Sequence, residues 1–216
     1  MPIKQTSANA VLVASGLNVT ALQQLWLLDK GILERDEFGP GAIFTPVAVN
    51  VPNARFELLI LDQRVQITFK QSFEAAHPFI ERIIGGIVHN VSSTFTAAGF
   101  NFEILCEPAE RNVPQLSRML CLRDDNPLAA EFADDAARFG LTLYKPYGAA
   151  KLTIQIQPVT TVETGHEAML CKFNVHRDLS AAGEIDQFIG TWPDALAFCN
   201  RLATQLDDSV QRLHVV

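Results

Sequence analysis

The sequence predicts an α+β domain: an antiparallel sheet with long helices gathered on one face. Three observations carry that expectation. Short runs rich in β-branched residues alternate apolar with polar positions, the mark of strands with one buried face. Two long segments, 73–95 and 191–213, carry helical apolar stripes broad enough to lie across a sheet. The order strand, helix, three strands, long helix also occurs twice, over about 9–96 and 101–213.

In chain order, Asn9–Ser15 is a first strand. Thr20 and Gln23 form a capping-box signal for a helix over 20–35. Ala42–Asn50 is a strand that Pro46 pushes to an edge or bulge, because proline donates no ladder hydrogen bond. Phe56–Leu61 and Val65–Lys70 flank a turn at Asp62–Arg64 as a hairpin, with Val65, Ile67 and Phe69 on the buried face. The stripe Phe73, Ala76, Ile80, Ile84, Ile87, Val91, Phe95 predicts one long helix. Gly85–Gly86 inside it costs about 1 kcal/mol per glycine relative to alanine, so close approach of another backbone is expected there.

The second half opens with a strand at Asn101–Glu107, and Gly99 is expected to end the preceding helix in a left-handed turn. Asn126–Pro127 starts a helix through Phe132, Ala136 and Phe139 to Gly140. Leu141–Tyr144, Lys151–Gln157 and Ala168–Val175 are strands, the last with Met169, Cys171, Phe173 and Val175 on one face. A final helix takes Thr191 as cap and a stripe of Trp192, Leu196, Cys199, Leu202 and Leu206, running on to Val210 and Leu213. The whole is one domain, 1–216, with structural halves 1–98 and 99–216. This layout resembles the saddle of the TATA-box-binding fold and its helix-grip relatives, a likeness of fold that carries no function.

Composition excludes several classes. The chain has 216 residues, 48% hydrophobic and 19% charged, with a formal net charge of -7, so a disordered chain is ruled out. An acidic protein lacks the field that gathers nucleic acid. Nucleic acid is therefore an unexpected partner despite the local arginines Arg111, Arg118 and Arg123. No apolar window reaches the roughly 20 residues of a membrane span, and the apolar run at 10–14 is too short for a signal peptide's core. Cys106, Cys121, Cys171 and Cys199 have irregular spacings and read as free thiols of a reducing compartment. The expectation is a cytoplasmic protein with no membrane partner.

The motif search returns near-misses. No G-x-G-x-x-G, phosphate loop or G-x-S-x-G elbow occurs. His176-Arg-Asp178-Leu copies the start of a kinase catalytic loop, but Gly183 stands where the magnesium-holding asparagine belongs. His166-Glu-x-x-Leu170 lacks the second histidine of a zinc-protease helix. Glu74-x-x-His77 and Glu163-x-x-His166 have di-iron spacing, but the second pair falls in a loop sequence. No metal and no cofactor are expected.

Three stretches, Arg55–Thr68, Thr96–Phe102 and Phe173–Asp178, resemble a scattered group of uncharacterised bacterial proteins with no assigned activity. There a hairpin precedes a long helix that ends in a Thr-x-x-Ala-x-Gly-x-Asn-Phe segment, whose threonine would here be Ser93 or Thr94. The resemblance implies a bacterial or phage origin and nothing catalytic.

Three functions are weighed in order. The first is a non-enzymatic interaction or assembly protein forming a homo-oligomer, suggested by edge-type strands and a mean hydropathy of +0.13. The alternative is a small-molecule binder with an apolar pocket between sheet and long helices, lined by Phe73, Phe79, Phe95 and Phe102. The second alternative is an enzyme with a site at His176 and Asp178, joined by Glu103 and His77.

Overall fold

Strands form where apolar and polar residues alternate, and the alternation runs further than the sequence analysis placed it. The computed structural model describes residues 3–70, 73–107, 113–122, 125–134, 136–162, 165–181 and 183–212. Its strands are β1 (Ile3–Ser15), β2 (Ile43–Phe44), β3 (Ala48–Pro52), β4 (Phe56–Leu61), β5 (Arg64–Phe69), β6 (Thr94–Cys106), β7 (Leu141–Tyr147), β8 (Ala150–Thr160) and β9 (Glu167–Asp178). They make one nine-stranded antiparallel sheet in the order β2-β3-β4-β5-β1-β6-β9-β8-β7. The long strands β1 and β6 pair at its middle, with Asn9 opposite Asn101.

One face of this sheet is buried across its central strands. Phe56, Phe69, Ala8, Phe102 and Phe173 lie in register across five strands, and all are buried. The expected inward sets, Val65, Ile67 and Phe69 in β5 and Met169, Cys171, Phe173 and Val175 in β9, all face the core.

The helices are α1 (Gln24–Asp29), α2 (His77–Ile80), α3 (Gly86–Asn90), α4 (Val113–Cys121), α5 (Leu128–Glu131), α6 (Gly183–Ile189) and α7 (Trp192–Arg212). A 3-10 turn at Phe73–Ala76 leads into α2, and a π turn at Glu81–Gly85 joins α2 to α3. Trp192 at the start of α7 is the hub of the core. Its ring is fully buried against Phe69, Phe100 and Phe102, and its indole N–H donates to the Phe73 carbonyl at 3.2 Å. Phe188 of α6 stacks on Phe100 with ring centroids 4.2 Å apart. Phe79 of α2 packs on Phe56.

Several local expectations give way to tertiary structure. The helix expected over 20–35 shortens to α1; the Thr20 hydroxyl bonds Asn18 instead of capping it, and Gln23 supplies no side-chain cap. The long helix of 73–95 ends at Asn90, and Phe95 belongs to β6. Gly99 sits in the middle of β6, because pairing with both β1 and β9 extends that strand backwards from Asn101. Of the glycine pair only Gly86 is crowded, and by a side chain: a Cβ there would sit 2.9 Å from Ile32 Cγ1, while Gly85 faces open space. The helix expected over 126–140 survives as α5 alone, with Phe132 and Ala136 exposed. The Thr191 hydroxyl donates back to the Phe188 carbonyl at 2.7 Å. Val210 and Leu213 lie outside what the structure describes of side chains. Ala42–Asn50 splits at Pro46 into β2 and β3, at the sheet's edge.

Candidate interaction site

The site is built from the last hairpin of the sheet and the helix behind it. The two-residue loop Gly148–Ala149 joins β7 to β8, with Gly148 at φ 58°. A glycine at the first central position fits a type II′ turn, whose twist matches the strands. In such a hairpin the closing pair, here Tyr147 and Ala150, exchanges backbone hydrogen bonds, and the direction alternates along the strand. Leu141, Leu143 and Lys145 therefore bond β8, while the backbone groups of Thr142, Tyr144 and Pro146 point away from the sheet. Pro146 sits where a missing N–H breaks no ladder bond.

No other strand pairs with that outer side among the described residues. Among the described residues no backbone hydrogen bond reaches it, and Leu143 and Tyr144 are 50% and 77% exposed. The opposite edge is blunted in the usual way. There β2 has two residues, and Thr45 turns the chain back onto Ala48 just before Pro46 breaks it.

Behind β7 the sheet and α7 do not close on each other. Leu143, Ile154, Ile156, Cys171 and Phe173 face Leu202, Ala203 and Leu206 across a cavity of about 230 Å³. Near the start of α7 the large Trp192 fills the interlayer space. Three turns further along, small Ala203 and small Cys171 line opposite walls and leave room. One turn before Leu202 on α7, the Phe198 ring packs on Tyr147 (5.1 Å), with Lys145 Nζ and Arg201 Cζ over it at 5.4 and 5.1 Å.

The chemistry of this groove is apolar and neutral. A hydrogen bond with Cys106, together with burial, raises the Cys171 thiol far above the usual range. Burial alone pushes Cys199 up to about 12. Both stay protonated, and a buried thiol is a poor nucleophile.

The residues nominated as catalytic lie elsewhere. His176 and Asp178 sit at the end of β9 on the sheet's open face, with His176 Nε2 3.0 Å from Asp178 Oδ1 and Lys151 Nζ donating to Asp178 Oδ2 at 2.7 Å. The Lys151 hydrogen bond first, then that of His176, holds the Asp178 carboxyl below its usual range. Glu103 pairs with Lys172 at 3.4 Å on the same face, four residues along β9 from His176. His77 opens α2, on the covered side, and faces Glu81 at 3.5 Å. The open face thus brings His176 and Asp178 together and leaves His77 apart. Between His176 and Glu103 on the open face runs a row of amides, Asn174 donating to Asn101 and Asn101 to Asn9, each at 2.7 Å. Glu163, Arg111 and Arg123 lie outside the described residues.

The nominated phenylalanines are dispersed. Phe73, Phe95 and Phe102 are buried in the core. Phe79 carries the Arg55 and Arg82 guanidinium groups over its ring at 4.9 and 5.6 Å. The cavity takes Phe173 instead. Its signal in the sequence was the pairing of a long strand containing Pro146 with a small residue, Ala203, on the inner stripe of the last helix.

Neither a protein-family model nor a curated protein matches this chain. No helix among the described residues is long and apolar enough to cross a membrane.

Proposed function

We propose that the protein is a non-enzymatic interaction and assembly module that forms a homo-oligomer. The observation that carries this reading is β7: a seven-residue edge strand whose outer side no other described strand pairs with, beside an apolar groove under α7. Unpaired edges template strand addition, either by another chain of the same kind or by a partner segment. The four cysteines form no disulfide and three are buried, which supports a reducing, cytoplasmic setting. The strand order outward from β1 and β6 supports reading the halves 1–98 and 99–216 as copies of one unit. The test is native mass spectrometry of protein purified without added metal. A multiple of 23.8 kDa is the expected result, and a bare monomer at every concentration overturns the reading.

A second reading rests on the cavity itself. Its volume of about 230 Å³ and its apolar lining suit a small hydrophobic ligand between sheet and helix. A stoichiometric extra mass in the same spectrum, and a melting temperature that rises with ligand concentration, would move the function to binding. The reading of His176 and Asp178 as catalytic has less support, since Asp178 is exposed and both belong to a surface ion-pair chain that ends at Lys151.

A further inference from the structure

Resting on the assembly reading, we infer that the occupant of the β7 edge is β7 of a second copy, paired antiparallel about a two-fold axis at Tyr144. Tyr144 is the midpoint of Leu141–Tyr147, so this register overlaps the whole strand. A two-fold normal to the sheet keeps both helical layers on the same side and continues one sheet through the dimer.

The backbone of β7 is complementary to itself in this register. The outward groups belong to Thr142, Tyr144 and Pro146. Tyr144 faces its own copy, and the two exchange both N–H···O bonds. Thr142 faces Pro146 of the copy and donates to its carbonyl, once on each side of the axis. The N–H that proline lacks would have reached only the Thr142 carbonyl, which water can serve at the rim. The one proline of the strand therefore falls where its defect does least harm.

The side chains agree. On the open face Tyr144 meets Tyr144, an aromatic cross-strand pair, and Thr142 meets Pro146. On the helix side Leu141 meets Tyr147 and Leu143 meets Lys145, so no like charges stand directly opposite. Lys145 already lies back over its own Phe198 ring. Lys145 of each copy then stands beside Leu143 at the edge of the other's cavity, and the two Leu143 side chains lie diagonal to each other across the axis. Paired strands alone bury less than the roughly 800 Å² per partner of a standard interface, so the pairing requires the apolar rims of the two grooves beside β7 to pack as well.

Cysteine substitutions on the full-length chain test the register, in a Cys121→Ser background because Cys121 is the one native thiol not buried. Residues facing each other as a hydrogen-bonded pair have Cα atoms about 5.5 Å apart, inside the range a disulfide spans. Tyr144→Cys is expected to cross-link to a species of twice 23.8 kDa under mild oxidation. Thr142→Cys, displaced from its own copy by four residues or about 14 Å, is not. Separately, Tyr144→Lys sets two ammonium groups face to face and is expected to weaken dimerisation at least tenfold in sedimentation equilibrium. Its circular dichroism melt, compared at a concentration low enough for the wild type to be monomeric, should stay unchanged, because the residue is exposed. A dimer that survives Tyr144→Lys and does not cross-link through position 144 overturns the β7 pairing while leaving the assembly reading standing. A wild-type monomer overturns both.

Discussion

Replacing Glu37 with glutamine should destabilise the protein more than any other single loss of charge among the groups described. Glu37 is only 1% exposed, yet it is held on both oxygens. Arg82 donates to Oε2 at 2.8 Å and to Oε1 at 2.6 Å, Arg55 donates to Oε1 at 3.1 Å, and the Glu34 N–H donates to Oε2 at 2.9 Å. This carboxylate ties the 3-10 turn Arg35–Glu37 to the π turn and to the start of β4. Breaking a buried pair from one side costs about 3–5 kcal/mol, because the remaining charge loses its partner. Arg82 and Arg55 are 27% and 47% exposed, so both recover some hydration and the lower end, about 3 kcal/mol, applies. For a chain of this size that is a fall of about 6–12 °C in melting temperature. The pH dependence has a definite sign. Burial pushes the Glu37 carboxyl up, but the Arg82 hydrogen bonds, the Glu34 N–H and the nearby cations together bring it below its ordinary value. A depressed folded value means the stabilisation is full above the unfolded glutamate value and is lost as pH falls through the folded one. Urea denaturation at pH 7 and at pH 3 should therefore show the wild-type and Glu37→Gln curves converging in acid. A loss below about 1 kcal/mol at pH 7 would refute the claim that this pair is a buried clamp rather than a solvated one.

Four further outcomes follow from the same geometry. Gly85→Ala should stabilise by up to about 1 kcal/mol through helix propensity, since a Cβ there meets nothing, whereas Gly86→Ala must displace Ile32; thermal melts in which the two variants behave alike would contradict this packing. Gly39→Ala should be worse than either, because its Cβ would fall 2.0 Å from the Pro52 carbonyl oxygen. Glu184 accepts from the backbone N–H groups of Ser180 and Ala181, the Ser180 hydroxyl and Arg177, which lower its pKa to about 2; its contribution is present above the unfolded value and lost as pH falls toward that point, and an NMR titration centred near an ordinary glutamate would disprove the cap. Trp192→Ala should cost about 3–5 kcal/mol in chemical denaturation, and a loss under about 2 would show that the ring cluster can collapse around the gap.

Much of the sheet was legible because period-two alternation and burial are the same fact seen twice. Val65, Ile67 and Phe69 had to share a face, and in β9 the run Met169 to Val175 left no second choice. The helices were read less well. Phe95 continues the stripe of the preceding helix by spacing alone, but pairing with Ala14 of β1 claims it for the sheet. Such a contact lies about eighty residues away in sequence and leaves no local trace. Gly99 misled for a related reason: a glycine between an apolar stripe and a strand reads as a helix stop, yet here Val175 of the neighbouring strand passes close to it, its carbonyl oxygen 3.5 Å from where a Cβ would sit. Glu184 was missed because it caps backwards. Its carboxylate reaches the N–H groups preceding the helix, a role that the nearby Asp178 and Ser180 advertise more loudly by composition.

The candidate site shows what kind of information was in the sequence but needed the sheet to interpret it. Pro46, Pro146 and Pro158 each interrupt an otherwise plausible strand. By propensity all three weaken the assignment equally. The hairpin parity separates them. Pro46 breaks the chain between two strands at one edge. Pro158 belongs to the set of β8 residues that face β7, but it stands beyond Leu141, where β7 has not yet begun. Pro146 alone sits inside a full-length edge strand, turned outward, where it removes one donor and leaves the others in place. An edge meant only to repel further strands would carry its proline at Tyr144, where both central bonds are lost, or a charge on the open face. β7 instead places an aromatic ring at the centre, its single charge back over its own helix, and its defect at the rim. That distribution is the pattern of a strand kept available for pairing, and it is why the edge, rather than the histidine and aspartate at the far end of β9, is where the function of this protein should be sought.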